Sequence, residues 1–371
     1  MSLLSSDLGA RYRSAFRPAY ISAVRFWLYA IAAFVFAMVL VGGATRLTGS
    51  GLSITEWQPI LGALPPLSDA DWQAAFAKYK TIPQYDLVNN GMSLADFKGI
   101  YWWEWSHRLL GRLIGVIFFV PFAAFLVLGS IPRGYIFRIA LLFLLGASQG
   151  ALGWFMVKSG LANRVDVSQY RLAAHLGLAV VIMGYAFWLA MSLPGRASPK
   201  AQALNAASRN DAATLAVSAT ILAASIYMQI VIGGFVAGLK AGLASNTWPL
   251  MNGAIIPDGI NALSPWYMNL FENPLTVQFI HRLTAYIVAI AAAILFLRIW
   301  RNPAYANLRL PVSAVCISIL MQIALGVETI FSGVQLGLAL AHQASAMILF
   351  ALALWLVRRT LSQPSSMEAS A

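Results

Sequence analysis

The sequence predicts an all-α membrane protein of eight transmembrane helices, arranged as two four-helix bundles related as parallel repeats. Three observations carry this reading. Of 371 residues, 60% are hydrophobic and only 10% are charged, whereas a soluble domain carries roughly 25% charged residues. Apolar stretches of the ~20 residues that a bilayer-crossing helix requires recur along the chain. The landmarks of the first half also return in the second half in the same order.

The apolar runs lie at 25–45, 102–129, 135–157, 171–193, 212–239, 277–300, 310–331 and 336–358. In lipid a backbone can satisfy its own hydrogen bonds only as a helix or a closed barrel. Barrel strands alternate polar and apolar residues over about ten positions, and Phe34-Val35-Phe36-Ala37-Met38-Val39-Leu40 does not alternate. The first run is too long for the apolar core of a signal peptide and lacks a clear small-residue cleavage site after it, so it reads as a helix. The second opens on Tyr101, Trp102 and Trp103, an aromatic belt at the membrane interface.

The net charge of +12 raises nucleic acid as a partner, but its distribution points to the lipid bilayer instead. Arg11, Arg13, Arg17 and Arg25 precede the first span, and Arg133 and Arg138 flank the second connection. Arg196, Lys200 and Arg209 fill the middle connection. Arg298, Arg301 and Arg309 lie between spans six and seven, and Arg358 and Arg359 follow the last. With eight spans these fall on one side, and short cytoplasmic loops attract Lys and Arg. Both termini are therefore expected in the cytoplasm, with the chain multi-pass in the cell inner membrane. The expected organisation is a cytoplasmic segment 1–24, a first half 25–193, a cytoplasmic linker 194–211, a second half 212–358 and a cytoplasmic tail 359–371. The single cysteine, Cys316, excludes an intrachain disulfide and a thiolate metal cluster and reads as a small core residue.

The duplication is read from motifs. Val41-Gly42-Gly43-Ala44-Thr45-Arg46-Leu47-Thr48-Gly49-Ser50-Gly51-Leu52 ends the first span, and Ile232-Gly233-Gly234-Phe235-Val236-Ala237-Gly238-Leu239-Lys240-Ala241-Gly242-Leu243 ends the fifth. Trp57 and Trp248 continue that register. His107-Arg108-Leu109 matches His281-Arg282-Leu283, Gln149-Gly150-Ala151-Leu152-Gly153 matches Gln322-Ile323-Ala324-Leu325-Gly326, and Ala174-His175 matches Ala341-His342. An even number of spans per half gives both halves one orientation, the parallel kind of repeat. The glycine pairs allow close helix packing and are equally suited to letting backbone approach a flat cofactor.

The four histidines of the chain, His107, His175, His281 and His342, each lie just inside the outer end of an even-numbered span. Ionisable residues inside a membrane are functional hypotheses by default, and four in register share a role. Zinc calls for Cys, carboxylate or three clustered His. Two His from facing helices suit a six-coordinate haem iron, so the expected pairs are His107 with His175 and His281 with His342. Arg108, Arg112, Arg171 and Arg282 lie nearby, placed either for haem propionates or for snorkelling to headgroups.

These motifs resemble those of haem A synthases. Gly42 through Ser53 with Glu56-Trp57 and Pro59, Tyr101-Trp102-Trp103-Glu104-Trp105-Ser106-His107-Arg108 and Tyr170-Arg171-Leu172-Ala173-Ala174-His175 carry the resemblance in the first half. Asn246-Thr247-Trp248-Pro249-Leu250-Met251-Asn252-Gly253, Phe279-Ile280-His281-Arg282 and Ala341-His342-Gln343 carry it in the second. The outer-loop cysteine pair of one bacterial class is absent, so the chain resembles the alphaproteobacterial and mitochondrial class. The resemblance implies oxidation of the C8 methyl group of haem O to a formyl group, giving haem A for terminal oxidases. It implies a permanent haem b on His281 and His342, substrate haem O on His107 and His175, and a required loop glutamate at Glu56. It also implies haem O synthase as a partner and either a ferredoxin-like or a quinone electron donor.

Independently of the resemblance, Glu56 falls in register with Thr247, so the halves differ by one carboxylate that could move protons. Glu328 is expected to hydrogen-bond within the bundle and Glu104 to flank the interface. The alternative functions are a cytochrome b-type di-haem electron-transfer subunit and a transporter, although histidine pairs confined to the outer edge do not suit a transporter.

Overall fold

The computed structural model describes residues 18–58, 61–163, 165–194 and 206–362. The eight long helices are α1 (Pro18–Leu47), α2 (Leu94–Val127), α3 (Arg133–Asn163), α4 (Gln169–Ser192), α5 (Ala206–Gly238), α6 (Pro274–Arg301), α7 (Arg309–Phe331) and α8 (Leu336–Leu361). All eight contain a stretch long and apolar enough to cross a membrane. Among the described residues β structure is limited to one isolated bridge, Met251 to Ala254.

Most of the helices outrun their apolar stretches. A helix ends where a cap or breaker ends it, not where lipid ends. α2 starts at Leu94 because Ser93 and Asp96 form a capping box there. α6 starts behind Asn273, whose side chain accepts from the Leu275 and Thr276 amides, with Pro274 in the first turn. α5 likewise begins at Ala206, inside the stretch expected as linker up to 211. The rest of that linker from 195, and most of the two expected terminal segments, lie outside the described residues.

α1 packs on α2 and α4, and α3 touches both α2 and α4. α5 packs on α6 and α8, and α7 touches both α6 and α8. The two sets meet along α4–α5, α1–α8 and α4–α8. The core sits at this seam, where Val180, Ala186, Leu215 and Leu356 are fully buried. Small residues make the seam tight. A Cβ at Gly238 would stand 2.5 Å from Gln169 Cα, and one at Gly234 would stand 3.0 Å from Ala173 Cα. Association in lipid depends on such close backbone packing because burial of apolar area supplies no drive there.

Where α1 begins and α4 ends, Arg25 donates to the carbonyls of Ala190, Leu193 and Pro194 at 3.3, 3.0 and 2.9 Å. Ala190 lies in the last turn of α4, whose carbonyls lack intrahelical partners, and Leu193 and Pro194 follow directly after it. Arg298 and Tyr305 both donate to the Asp211 carboxylate. Some of the basic residues on which the expected sidedness rests therefore also tie helices together.

At the opposite end the connection after α1 folds into two short helices, Asp69–Tyr79 and Pro83–Leu87. Trp72, Phe76 and Tyr79 pack with Leu52 against Phe97 and Tyr101 of α2. This corrects one detail of the aromatic belt. Trp102 and Trp103 face outward at 42% and 39% exposure, but Tyr101 is buried. Successive helical side chains point about 100° apart, so the loop covers one and leaves its neighbours out.

Candidate functional site

The histidines lie on α2, α4, α6 and α8. His175, His281 and His342 stand about 9–10 Å from the starts of their helices at 1.5 Å per residue. His107 lies deeper along α2 because that helix starts farther out. Each imidazole rests against a glycine of the preceding helix. A Cβ would come within 3.0 Å of His107 at Gly42, 3.0 Å of His175 at Gly153, 3.4 Å of His281 at Gly233 and 3.0 Å of His342 at Gly326. The glycines of the repeat motifs thus clear the helix face beside each ring, a use distinct from the tight seam contacts of Gly234 and Gly238.

His281 and His342 come together with ring centroids 6.5 Å apart and planes at 74°. A metal bonded to one nitrogen of each ring at about 2 Å sets the centroids roughly 6 Å apart, so the spacing fits a shared iron. His107 and His175 stand on α2 and α4, two helices that both pack on α1. Nδ1 of His175 and Nδ1 of His342 are buried without a hydrogen-bond partner, an arrangement native proteins rarely leave unexplained. Among the described residues no group of three or more His, Cys, Asp or Glu is placed to hold a metal ion. The donor set is therefore two imidazole pairs, which fits haem rather than zinc.

The loops are fixed over the sites by arginines that follow the histidines. Arg108 donates to the carbonyls of Glu56 at 2.8 Å and Ile54 at 2.7 Å. Arg282 donates to those of Thr247 at 2.7 Å and Ser245 at 3.0 Å, the positions in register. Arg112 donates to the Gln58 carbonyl at 2.9 Å, and the Arg171 guanidinium lies 4.6 Å from the Phe155 ring centroid. Arg108, Arg112 and Arg282, weighed from sequence between propionates and headgroups, thus bind loop carbonyls.

Glu56 lies on the wall of a cavity of about 350 Å³ that Tyr101, Arg108 and Arg112 also line. Its carboxylate is 46% exposed and pairs with Lys78 at 2.7 Å, and it accepts from Gln58 Nε2 at 3.0 Å.

Two expectations about carboxylates are corrected. Glu104 does not merely flank the interface, because it is 2% exposed. Its Oε1 accepts from Arg108 Nε at 3.0 Å and Nη2 at 2.6 Å, and its Oε2 accepts from Ser53 Oγ at 2.8 Å and the Ile54 amide at 2.7 Å. The folded loop closes over it and takes it out of water. Glu328 is exposed instead of bonded within the bundle, because its face of α7 turns away from the neighbouring helices.

The glutamines beside the histidines went unassigned in the sequence. Gln149, Gln229 and Gln322 donate to the backbone carbonyls of His175, His281 and His342 at 2.9, 2.7 and 3.1 Å. Gln149 and Gln322 stand in register in the repeat, which was the available signal.

A family model described as cytochrome oxidase assembly protein (COX15-CtaA) matches residues 25–354. A protein of Parvibaculum lavamentivorans named haem A synthase is 50% identical over 339 residues, covering 91% of this chain and 94% of its own length. Proteins of the same name from Nitrosospira multiformis and Azorhizobium caulinodans are 49% and 51% identical, covering 90% and 87% of this chain and 92% and 90% of their own lengths. With the match running through all eight helices, the chain belongs to the COX15-CtaA family of cytochrome oxidase assembly proteins.

Proposed function

We propose that the chain is an oxidoreductase that converts haem O to haem A by oxidising the C8 methyl group to a formyl group, for use by terminal oxidases. The supporting observation is the placement of two imidazole pairs, each ring set against a glycine, in a chain about 50% identical to proteins named haem A synthase over most of its length. In this reading the halves 25–193 and 212–358 divide the work. His281 and His342 hold a resident haem b, and His107 and His175 hold the substrate haem O.

Bound haem supplies the redox chemistry, while the protein supplies position and electrostatics. The histidines orient the macrocycle and the glycines admit it. Arg108 and Glu104 hold the outer loop in place, and Glu56 exchanges protons at its carboxylate. Haem O synthase supplies the substrate, and a ferredoxin-like or quinone donor supplies electrons. Expressed together with haem O synthase in cells lacking haem A, the chain is expected to produce haem A in the membranes, read by chromatography and mass spectrometry of extracted haems. Two bound haems of type b with no haem A would instead identify a cytochrome b-type electron carrier.

The proposed location is the cell inner membrane, with both termini and the middle connection in the cytoplasm. A reporter that works only in the periplasm is expected to be silent when fused after residue 205 and active when fused within the loop between α5 and α6. The reverse pattern overturns this topology.

A further inference from the structure

The two histidine pairs are braced unequally. In the second pair Gln229 Nε2 donates to the His281 carbonyl and lies 3.2 Å from His281 Nδ1, and the Thr284 hydroxyl donates to Gln229 Oε1. Gln322 Nε2 donates to the His342 carbonyl and lies 3.3 Å from His342 Nε2, and the Ser345 hydroxyl donates to Gln322 Oε1. Both ends of both amides are engaged, so neither can swing without breaking bonds to a second group.

The first pair loses these locks at the positions in register. Gln149 still donates to the His175 carbonyl, but Leu178 stands where the second half has Ser345. Gln149 Oε1 is consequently buried with no partner. At His107 the brace is missing altogether. Met38 replaces Gln229 and Leu110 replaces Thr284. Met38 reaches α2, its Cε lying 3.1 Å from where a Cβ on Gly111 would stand, one turn beyond His107. A thioether on three rotatable bonds fills space without fixing direction.

Groups behind a metal ligand fix its orientation, and their loss typically costs 10–100-fold in metal affinity. We infer that three positions in each half, 38, 110 and 178 against 229, 284 and 345, decide whether a site keeps its haem or exchanges it. The second site is locked to retain a cofactor. The first is left compliant, most of all at His107, so that it can accept a haem and release the product. This rests on the reading above that the first pair is the substrate site.

The test measures transfer of haem from purified protein to excess apomyoglobin, with haem b and haem A distinguished by pyridine haemochrome spectra. Thr284→Val with Ser345→Ala removes both hydroxyl locks with little change of volume. Haem b is expected to leave this variant about ten times faster than the parent. Met38→Gln with Leu110→Thr builds the missing brace into the first half. This variant is expected to co-purify with first-site haem and to lose it about ten times more slowly than the parent, a gain that misfolding cannot produce. Unchanged transfer from the Met38→Gln/Leu110→Thr variant, or from a Thr284→Val/Ser345→Ala variant of parental helicity, overturns the inference and leaves the function intact. A parent protein that binds no haem at all overturns the functional reading on which it rests.

Discussion

His281→Ala or His342→Ala is expected to strip the proposed haem b from the purified protein. The two ring centroids lie 6.5 Å apart, a spacing that fits one iron bonded to both. Removing one imidazole opens an iron position and leaves the macrocycle held on one side only. Loss of a group behind the ligand already costs 10–100-fold in affinity, so loss of the ligand itself should leave less than about a tenth of the parental haem b per protein. The low-spin spectrum should disappear with it. His107→Ala serves as the comparison and is expected to keep haem b, since its iron would belong to the other pair. Full retention of a low-spin bis-histidine spectrum in both second-half variants means these residues are not the ligands.

Glu56→Gln is expected to lower haem A formation at least about tenfold, the low end of what acid–base groups contribute after allowing for water as a substitute. Haem O or a hydroxylated intermediate should accumulate, and haem b should remain bound. Little change in stability is expected, because the carboxylate is half-exposed and its partner Lys78 is equally so, and such pairs contribute only about 0–1 kcal/mol. Glu104→Gln should behave differently. That carboxylate is buried, pairs with Arg108 and accepts the Ile54 amide, so neutralising it weakens charge-assisted bonds at a cost of about 1–3 kcal/mol. It also frees the loop that carries Glu56. Thermal unfolding in detergent, measured beside haem A yield, separates the two roles. A Glu104→Gln protein of parental stability that makes no haem A, beside a Glu56→Gln protein of parental yield, would move the proton-exchanging role to Glu104.

The eight helices were legible along the chain itself. Spanning a bilayer is a one-dimensional demand, met by about 20 apolar residues in a row, so α1 through α8 announce themselves without knowledge of their neighbours. The expected histidine pairs rested on register as well, since Ser106-His107-Arg108 matches Ile280-His281-Arg282 and Ala174-His175 matches Ala341-His342. Even the glycines beside the rings were visible as repeated motifs, although their contact with the imidazoles was not.

What tertiary structure alone decided is which polar groups are buried and what they hold. Glu104 and Glu56 are both acids near the loop-covered end of α2. Only the fold of the loop onto Phe97 and Tyr101 puts the first out of water and leaves the second on a cavity wall. Gln149, Gln229 and Gln322 read as ordinary polar residues in apolar helices until packing brings each to the carbonyl of a histidine on another helix. Hydropathy is a property of a segment and can be read locally. The partner of a hydrogen bond is set by how two helices rotate and cross, and that emerges only when their side chains compete for the same space.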